Sequence, residues 1–331
     1  MSTTKLKDIA EAAGVSINTV SRVLSGKTKG QYASSAVKVQ RIMELARKME
    51  YTPNKIAQAM RTRRTYQIGM IVSELHNPYT SRTLTIVNSE LTKHGYGMVL
   101  RLIHQDEDIK AALRAYSKNL MDGLLSNHPF IPTDMLEEMM PGIPIVTLDR
   151  SSEYSPATIN LESGVLLGMQ HLWNLGHEKI AIITGYSHLK GRSRRLDAYH
   201  SFYASHGIEP PKEWIMQKGW EYWNAVDFTD QLVASGCTAC FAGNDLLGMG
   251  ICTGLRMKGL EVPKDFSIVS MDDTVLSKMN YPELTSVRLP SHELVRLTIE
   301  GLLARIEGKK IPPFRQLMPS LIVRSSAALR E

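Results

Sequence analysis

From residue 67 onward, short β-prone runs alternate with helical segments, and this alternation limits the fold more than any other feature of the sequence. Strands separated by helices of roughly 10–15 residues are typical of α/β layers with parallel sheets. The predicted strands are Gln67–Val72, Gly97–Ile103, Gly123–Leu125, Ile145–Leu148, Ile180–Thr184, Ala239–Ala242, Ser267–Ser270 and Leu321–Val323. The predicted helices between them include Arg82–His94, Ile109–Asn119, Gly164–Leu175 and Leu246–Lys258.

Residues 6–25 follow a different pattern, which predicts two short helices around a tight turn. The apolar residues of the first helix share one face, at Leu6, Ile9, Ala10 and Ala13. Gly14 suits the left-handed end of that helix, and Ser16 is a good N-cap for a second helix, Ile17–Leu24. A small residue at the helix contact, a turn glycine and a branched apolar residue at Val20 together predict a helix-turn-helix.

The second of these helices turns a polar face outward. The side chains expected to meet base edges in a major groove are Ile17, Asn18, Ser21 and Arg22. Asparagine can pair bidentately with adenine and arginine with guanine. A third helix, Ser35 to Met49, is predicted to pack on the first two through Val39, Ile42, Met43, Leu45 and Ala46.

The charge of the chain is concentrated at its N-terminal end. Residues 1–66 carry 13 Lys and Arg against 4 Asp and Glu, whereas the other 265 residues carry 26 against 29. A basic end on a mildly acidic body indicates a polyanionic partner for that end.

The three cysteines do not form a disulfide framework, which is typical of a reducing compartment. Cys237 and Cys240 form a C-x-x-C, but no second pair stands at ligand spacing, so we expect small buried residues and not a metal site. The chain shows no apolar leader and no apolar run near 18 residues. We therefore expect a cytoplasmic protein that neither spans a membrane nor is exported.

Three segments carry a resemblance to a known family. They are Thr19-Val20-Ser21-Arg22-Val23-Leu24, the Tyr51-x-Pro53-Asn54-x-x-Ala57 segment, and Ile68-Gly69-Met70-Ile71-Val72. The chain resembles the lac repressor (LacI/GalR) family of transcription regulators essentially from end to end. The resemblance implies an all-α helix-turn-helix domain followed by an α/β, two-lobed domain like the periplasmic sugar-binding proteins, with parallel sheets.

The resemblance also implies the domain limits. Residues 1–50 would bind DNA, residues 51–66 would form a hinge helix and linker, and residues 67–331 would bind the effector and dimerise. The first lobe would comprise about 67–164 plus 291–320, and the second about 165–290 plus 321–331.

The DNA-binding residues implied by the resemblance lie in the helix-turn-helix and the hinge. They are Leu6, Ser16, Ile17, Asn18, Thr19, Ser21, Arg22, Asn54, Ala57 and Met60. Met60 stands where the family usually has a leucine that wedges into the minor groove, and methionine can do the same. The loop Gly26–Tyr32 is longer than the usual turn, and its lysines either contact phosphates or belong to a tolerated loop.

The effector-binding residues implied by the resemblance follow predicted strands, where ligands of open α/β sheets bind. They are Asn77, Tyr79, Asp149, Arg195, Trp220, Asn244 and Asp272. Asn77 and Tyr79 either cap a loop or line the cleft, and Trp223 is an alternative to Trp220. Asp245 is predicted to be a helix N-cap, which leaves Asn244 as the ligand contact.

These residues lead us to expect a DNA-binding regulator, a repressor by preference, with a near-palindromic operator and a sugar-like effector. A homodimer is expected because one head contacts one half-site. Three alternatives stay open. The effector is a nucleobase or a sugar phosphate, the protein is an activator, or the effector either releases the protein from DNA or recruits it. Ser270-Met271 replaces the family's usual Gly-Tyr beside Asp272, which blurs the choice of ligand.

We do not expect this chain to be an enzyme. Asp149 and Asp272 are a candidate carboxylate pair for glycoside hydrolysis. However, the sequence has no Walker A loop, no G-x-S-x-G and no H-E-x-x-H. We therefore expect no catalytic residue, no metal ligand and no cofactor.

Overall fold

The computed structural model describes residues 4–24, 33–51, 59, 62–104, 108–117, 121–128, 131–148, 154–186 and 193–330, the side chains of 33–35 and 117 excepted. The chain divides into two compact units, Met1–Thr65 and Tyr66–Glu331. The predicted fold class, a helical N-terminal unit followed by an α/β unit with parallel sheets, is confirmed.

The N-terminal unit contains α1 (Leu6–Ala13), α2 (Ile17–Leu24) and α3 (Ala33–Lys48). These helices bury one small core, formed by Ile9, Ala10, Val20, Val23, Ile42 and Ala46. Thr4 donates its hydroxyl to the carbonyl of Met49 at 2.8 Å, which ties the beginning of the unit to the end of α3. Met43 was predicted to pack inward, but its side chain is 44% exposed because α3 meets the other helices along a narrow stripe.

The elements of the second unit, in chain order, are these. The strands are β1 (Gln67–Val72), β2 (Gly97–Leu102), β3 (Gly123–Asn127), β4 (Ile145–Thr147), β5 (Ala157–Ile159), β6 (Ile180–Gly185), β7 (Ile215–Lys218), β8 (Ala239–Ala242), β9 (Ser267–Asp272), β10 (Thr285–Arg288), β11 (Arg315–Leu317) and β12 (Ser320–Ile322). The helices are α4 (Pro78–Lys93), α5 (Ile109–Ser117), α6 (Thr133–Met139), α7 (Leu161–Asn174), α8 (Arg194–Ser205), α9 (Tyr222–Asp227), α10 (Thr229–Ala234), α11 (Asp245–Met257), α12 (Val275–Met279) and α13 (Ser291–Ile306), with a 3₁₀ turn at Lys212–Trp214.

Two sheets organise this unit. The first has the order β2-β1-β3-β4, with every pair parallel. The second has the order β12-β10-β9-β8-β6-β7, in which only β12 runs antiparallel to its neighbour. We call the first sheet with α4–α6 and α13 the first lobe, and the second sheet with its helices the second lobe.

The chain passes between the lobes more than once. After β4, the strand β5 pairs with β11 in a two-stranded ribbon, with Ala157 opposite Arg315 and Ile159 opposite Leu317. Later α13 returns to pack on α4, β3 and β4, and β12 rejoins the second sheet beside β10. Both sheets therefore depend on distant parts of the chain.

The central strands are buried on both faces, as expected for parallel sheets covered by helices. In β1, Ile68, Met70 and Val72 belong to the large core, whereas Ile71 belongs to a smaller cluster with Leu124 on the opposite face. This alternation follows from the two-residue period of a strand. Because neighbouring strands are parallel, their carboxyl ends lie along one edge of each sheet, and the polar residues of the next section follow these ends.

Candidate functional site

The turn of the N-terminal unit has the geometry that the sequence predicts. Gly14 has φ 66°, and Val15 donates its backbone N–H to Ala10 at 3.0 Å. The Ser16 hydroxyl accepts the backbone N–H of Thr19 at 3.2 Å, as an N-cap does. The turn therefore fixes the direction in which α2 leaves α1.

One face of α2 is accessible to a partner. Ile17 is 47% exposed, and Asn18 and Arg22 are exposed as well. Thr19 and Ser21 are half-buried. Leu6 packs half-buried on the small core. The predicted contacts Asn54, Ala57 and Met60 lie outside the described residues, as does the loop Gly26–Tyr32.

In the second lobe, Trp220 lies in a seat made by two glycines. A Cβ on Gly185 would overlap the indole of Trp220, and a Cβ on Gly243 would lie 3.0 Å from it. Asn244 donates its side-chain amide to the carbonyl of Trp220 at 3.0 Å. The alternative Trp223 is 67% exposed, whereas Trp220 is half-buried.

Arg195 lies over the ring of Trp220. Its guanidinium carbon lies 4.8 Å from the centroid of Trp220, a cation–π distance. Arg195 lies in the first turn of α8, which Ser193 caps through the backbone N–H of Leu196. Two of the predicted residues, Arg195 and Trp220, therefore form a cation–π pair.

Asp272 ends β9 in a backbone conformation that non-glycine residues seldom adopt. Its φ is 106°, and the following Asp273 has φ 46°. Burial raises the pKa of Asp272 well above its usual value, and the nearby Asp245 raises it further, while Arg195 and Arg82 act in the opposite direction. Asp272 is thus a buried acid with a raised pKa, which a cationic or hydrogen-bonding ligand would lower.

Asp245 has a role that the sequence prediction missed. The N-cap of α11 is Asn244, whose side-chain oxygen accepts the N–H of Leu247 at 2.8 Å. Asp245 is the first helical residue, so its prediction as the N-cap was wrong. Its buried carboxylate accepts four hydrogen bonds, from the hydroxyls of Ser270 (2.7 Å), Ser286 (2.8 Å) and Thr274 (2.8 Å) and from the Thr274 N–H (2.6 Å).

The neighbouring Asp273 is held by two arginines. It pairs with Arg324, and Arg288 donates to it at 2.6 Å. Burial raises the pKa of Asp273, but the hydrogen bonds from Arg324 and Arg288 outweigh this effect and leave the pKa below its usual value. Two arginines therefore hold the side chain of Asp273, which follows Asp272 in this unusual backbone conformation.

The first lobe supplies residues at the end of β1. Asn77 caps α4 by accepting the N–H of Tyr79 at 2.9 Å, and Tyr79 packs half-buried against the large core. Asp149, the other predicted residue of this lobe, lies outside the described residues. The sequence prediction also missed Arg82, which donates to the carbonyl of Asp273 in the second lobe at 2.9 Å.

A second contact between the lobes was also missed. His76 Nε2 lies 3.0 Å from a carboxylate oxygen of Glu221 and 3.3 Å from one of Glu74. Burial raises the pKa of Glu74, His76 lowers it, and Glu221 raises it again. Glu74 and His76 follow β1, whereas Glu221 precedes α9 in the other lobe.

Together, Arg195, Trp220, Asn244 and Asp272 form one set of side chains at the carboxyl ends of the second sheet. The set offers a flat aromatic face, a fork of donors and a carboxyl group. Groups of this kind bind a small molecule that both donates and accepts hydrogen bonds.

The cysteines contribute no thiolate to this site. Cys237, Cys240 and Cys252 are free and buried. Burial raises the pKa of Cys237 and of Cys252 to about 11, and that of Cys240 well above its usual value. These thiols are small core residues, as the sequence predicts. In the part of the chain that the structure describes, each helix is too short or too polar to cross a bilayer.

Comparison with known proteins matches both units. Residues 5–54 match the family of bacterial regulatory proteins, lacI family, and residues 169–327 match the periplasmic binding protein-like domain. The ribose operon repressor of Escherichia coli strain K12 is 28% identical over 331 residues, covering 97% of this chain and 99% of the relative. The transcriptional repressor PurR of Photobacterium profundum is also 28% identical, covering 97% and 98%.

Solved structures give the same result. The lac repressor dimer bound to operator and an anti-inducer has a TM-score of 0.81 and 27% identity, over 99% of this chain and all of that one. The complex of the regulator CelR with cellobiose has a TM-score of 0.71 and 25% identity, over 98% of this chain and 99% of that one.

A helix-turn-helix unit joined to a two-lobed ligand-binding unit defines the class of ligand-controlled transcription regulators. Within that class, the match of both units and the end-to-end likeness place the chain in the LacI family of bacterial regulatory proteins.

Proposed function

We propose that this chain is a repressor whose operator affinity is controlled by a small carbohydrate-like effector bound between the lobes. The observation that carries the proposal is the set Arg195, Trp220, Asn244 and Asp272 at the strand ends of a unit that follows a helix-turn-helix. A protein that only binds a ligand has no need of a helix-turn-helix, and a protein that only binds DNA has no need of a ligand site. A ligand-controlled regulator needs both.

The helix-turn-helix supplies sequence recognition. Residues 1–50 bind DNA, with Asn18 and Arg22 of α2 at the base edges of the major groove. Residues 51–66 form the hinge, and Asn54, Ala57 and Met60 contact the minor groove. The basic charge of this end adds phosphate contacts, which strengthen binding without specifying sequence.

The cleft between the lobes, within residues 67–331, supplies control. The apolar face of a sugar ring takes the place of the Arg195 guanidinium on Trp220, and the displaced Arg195 binds the hydroxyl groups of the sugar together with Asn244 and Asp272. Asn77, Tyr79 and Asp149 complete the site from the first lobe. The effector changes operator affinity only through its different affinity for the two lobe arrangements.

A homodimer presents two heads to a near-palindromic operator, and the second unit has surface for it. The edge strand β2 exposes Val99 and Leu100 to 40% and 39%. Another exposed apolar group lies near the end of α11 and around α12, at Met257, Val275, Met279 and Tyr281. Exposed apolar surface of this kind marks association sites, and the similar lac repressor is a dimer on operator.

A planar heterocycle is the second candidate effector. The guanidinium of Arg195 lies over Trp220, so a nucleobase could replace it in the stack, and the same arginine together with Arg82 suits a phosphate. The resulting regulator has the same fold and the same operator. Such a regulator would differ from the proposed repressor only in its effector. An activator would differ from it only in the position of its operator.

The site is proposed for binding and not for catalysis, and the protein is proposed to act on DNA in the cytoplasm. Asp272 is buried near Asp245, and we propose that its carboxyl group forms a hydrogen bond with a ligand. Incubation of the effector with the protein should therefore return it unchanged.

The test is selection of bound sequences from a random duplex library by the full-length protein at moderate salt, with and without a panel of pentoses, hexoses, sugar phosphates and purines. Enrichment of a near-palindrome of about twenty base pairs is expected. A panel member that changes the enrichment identifies the effector and the sign of its action. Binding that only fades with salt, under every condition, contradicts the proposal.

Two variants connect the test to the residues. Arg22→Ala should lose discrimination at one position of the half-site, by about 1–3 kcal/mol, whereas Arg41→Ala on α3 removes the same charge without changing the preferred sequence. Arg195→Ala should retain operator binding and lose the effector response. An unchanged response in Arg195→Ala would remove that residue from the site.

A further inference from the structure

Glu74, His76 and Glu221 bring three potential metal ligands together across the cleft. Their ligand atoms all lie within 4.8 Å of one another. Among the residues that the structure describes, no other set of three or more His, Cys, Asp or Glu side chains meets this condition. None of the three belongs to the set that stacks on and surrounds Trp220.

The distances fit coordination of one ion. Nitrogen and carboxylate oxygen ligands lie about 2.0–2.2 Å from Zn²⁺. Two such ligands of the same ion are therefore separated by about 3.0 Å at a right angle and about 3.4 Å at the tetrahedral angle. The distances from His76 Nε2 to Glu221 and to Glu74 are 3.0 Å and 3.3 Å.

One carboxylate and the backbone of the other are held by groups that are not ligands. Glu74 accepts a hydrogen bond from the side chain of Asn77. Glu221 is the N-cap of α9, where the Asn224 side chain accepts its backbone N–H at 3.2 Å and its backbone carbonyl accepts the N–H of Asn224 at 3.1 Å. Outer groups of this kind hold metal ligands in place and reduce the entropy lost on binding.

The chemistry selects the class of ion. One imidazole nitrogen with two carboxylate oxygens suits Zn²⁺ and similar first-row divalent ions better than Mg²⁺ or Ca²⁺, which prefer oxygen alone. Two carboxylates with a neutral imidazole balance a charge of +2. Three protein ligands leave a fourth position for water, and the side chain of His76 is 63% exposed, so an ion has access from solvent.

We propose that Glu74, His76 and Glu221 form a binding site for a divalent cation of the Zn²⁺ class that joins the two lobes. Glu74 and His76 come from the first lobe and Glu221 from the second, so the ion is fully coordinated only in the lobe arrangement that brings them together. The site shares no ligand residue with the proposed effector site, although it adjoins it at Asn77 and Trp220, and it does not depend on operator binding.

The first measurement is calorimetric titration of the full-length, tag-free protein with Zn²⁺ alone, without DNA or effector. One ion per chain is expected. His76→Ala and Glu221→Gln should each weaken binding at least about tenfold. The matched controls are His292→Ala and Glu213→Gln, which change an exposed histidine and an exposed glutamate elsewhere and should bind as the wild type does.

The Glu221 variant is the decisive one, because it changes the second lobe alone. Loss of binding in both His76→Ala and Glu221→Gln supports a site that spans the lobes. Loss in His76→Ala with wild-type binding in Glu221→Gln overturns it, as does absence of saturable Zn²⁺ binding in the wild type. Circular dichroism of each variant, unchanged from the wild type, excludes misfolding as the cause of a loss.

Discussion

The strand ends of the two lobes are built in different ways. In the second lobe, Trp220 lies against Gly185 and Gly243, and Asn244 uses both ends of its amide. Asp272 lies in a corner of the chain, Ser270–Thr274, that Asp245 holds through the hydroxyl groups of Ser270 and Thr274. These contacts stay within the lobe. In the first lobe, Arg82 and His76 instead direct their polar groups to atoms of the other lobe.

This difference indicates a division of labour. Side chains that are fixed by contacts within their own lobe keep their arrangement when the other lobe moves, so we expect the second lobe to act as a preorganised platform for the effector. Side chains whose partners lie across the cleft change their contacts when the lobes move. We therefore expect the first lobe to contribute the difference in effector affinity between the lobe arrangements, which control of DNA binding requires.

Asp245→Ala tests the platform and should have the largest effect. Loss of the carboxylate leaves the Ser270, Ser286 and Thr274 donors without an acceptor in a buried place, so we expect a loss of about 3 kcal/mol in the free energy of unfolding. Urea denaturation measures it. Asp230→Ala is the control, because Asp230 forms an exposed ion pair with Lys258, which is worth about 0–1 kcal/mol. Equal losses in the two variants would mean that the network does not hold the corner.

Gly185→Ala tests the seat of Trp220. The new methyl group would overlap the indole ring, so the ring must move, and we expect a loss of about 1–3 kcal/mol together with a shifted tryptophan emission. Gly97→Ala is the control, because its new Cβ would meet only the flexible end of Gln67. An unshifted emission in Gly185→Ala would show that the ring has room, and the seat would not be rigid.

Much of the fold follows from local sequence signals, and the exceptions have physical causes. Gln67–Val72 and Ala239–Ala242 are observed as predicted because each is a short apolar run with buried neighbours. The strand Thr285–Arg288 was missed because two of its three buried residues, Thr285 and Ser286, carry hydroxyl groups. Those of Thr285 and Ser286 are satisfied by Arg324 and Asp245, which are distant in sequence. A buried polar run has the composition of a loop.

The residues of the candidate site also include some that the sequence predicted and some that it did not. The family motifs predicted Arg195, Trp220, Asn244 and Asp272, and the structure brings these four together. They do not reveal Arg82, whose partner is 191 residues away, or the pairing of His76 with a residue 145 positions later. Such pairs depend on how two lobes meet, and a single sequence carries no pairwise signal.

Asp272→Asn tests the cost of the buried acid. The raised pKa of Asp272 means that the folded state holds this proton to a higher pH than the unfolded state does. Its contribution to stability is therefore present at acid pH and is lost as the pH rises through the folded-state pKa. Asparagine does not titrate, so the stability of the variant relative to the wild type should increase as the pH rises, by roughly 2–4 °C in Tm for each 1 kcal/mol gained.

Melting curves of both proteins from about pH 4 to about pH 8 measure this difference. Asp227→Asn is the control, because Asp227 lies on the surface in an ion pair with Lys218 and no pH-dependent gain is expected. A difference that stays constant with pH would mean that Asp272 is ionised throughout. The corner would then stabilise the charge, and the second lobe would not be strained at its binding site.

Arg82→Ala tests the first lobe and should have the smallest effect on stability. It removes one hydrogen bond to the carbonyl of Asp273, so the free energy of unfolding should fall by about 1 kcal/mol or less. The same bond crosses the cleft, so its loss changes the balance between lobe arrangements. The effector concentration that half-changes operator binding should therefore shift by about fivefold or less, as 1 kcal/mol allows. Lys93→Ala, at the far end of α4 in an ion pair with Glu90, is the control and should leave that concentration unchanged. A shift in Lys93→Ala, or none in Arg82→Ala, would mean that the contacts across the cleft do not set the response.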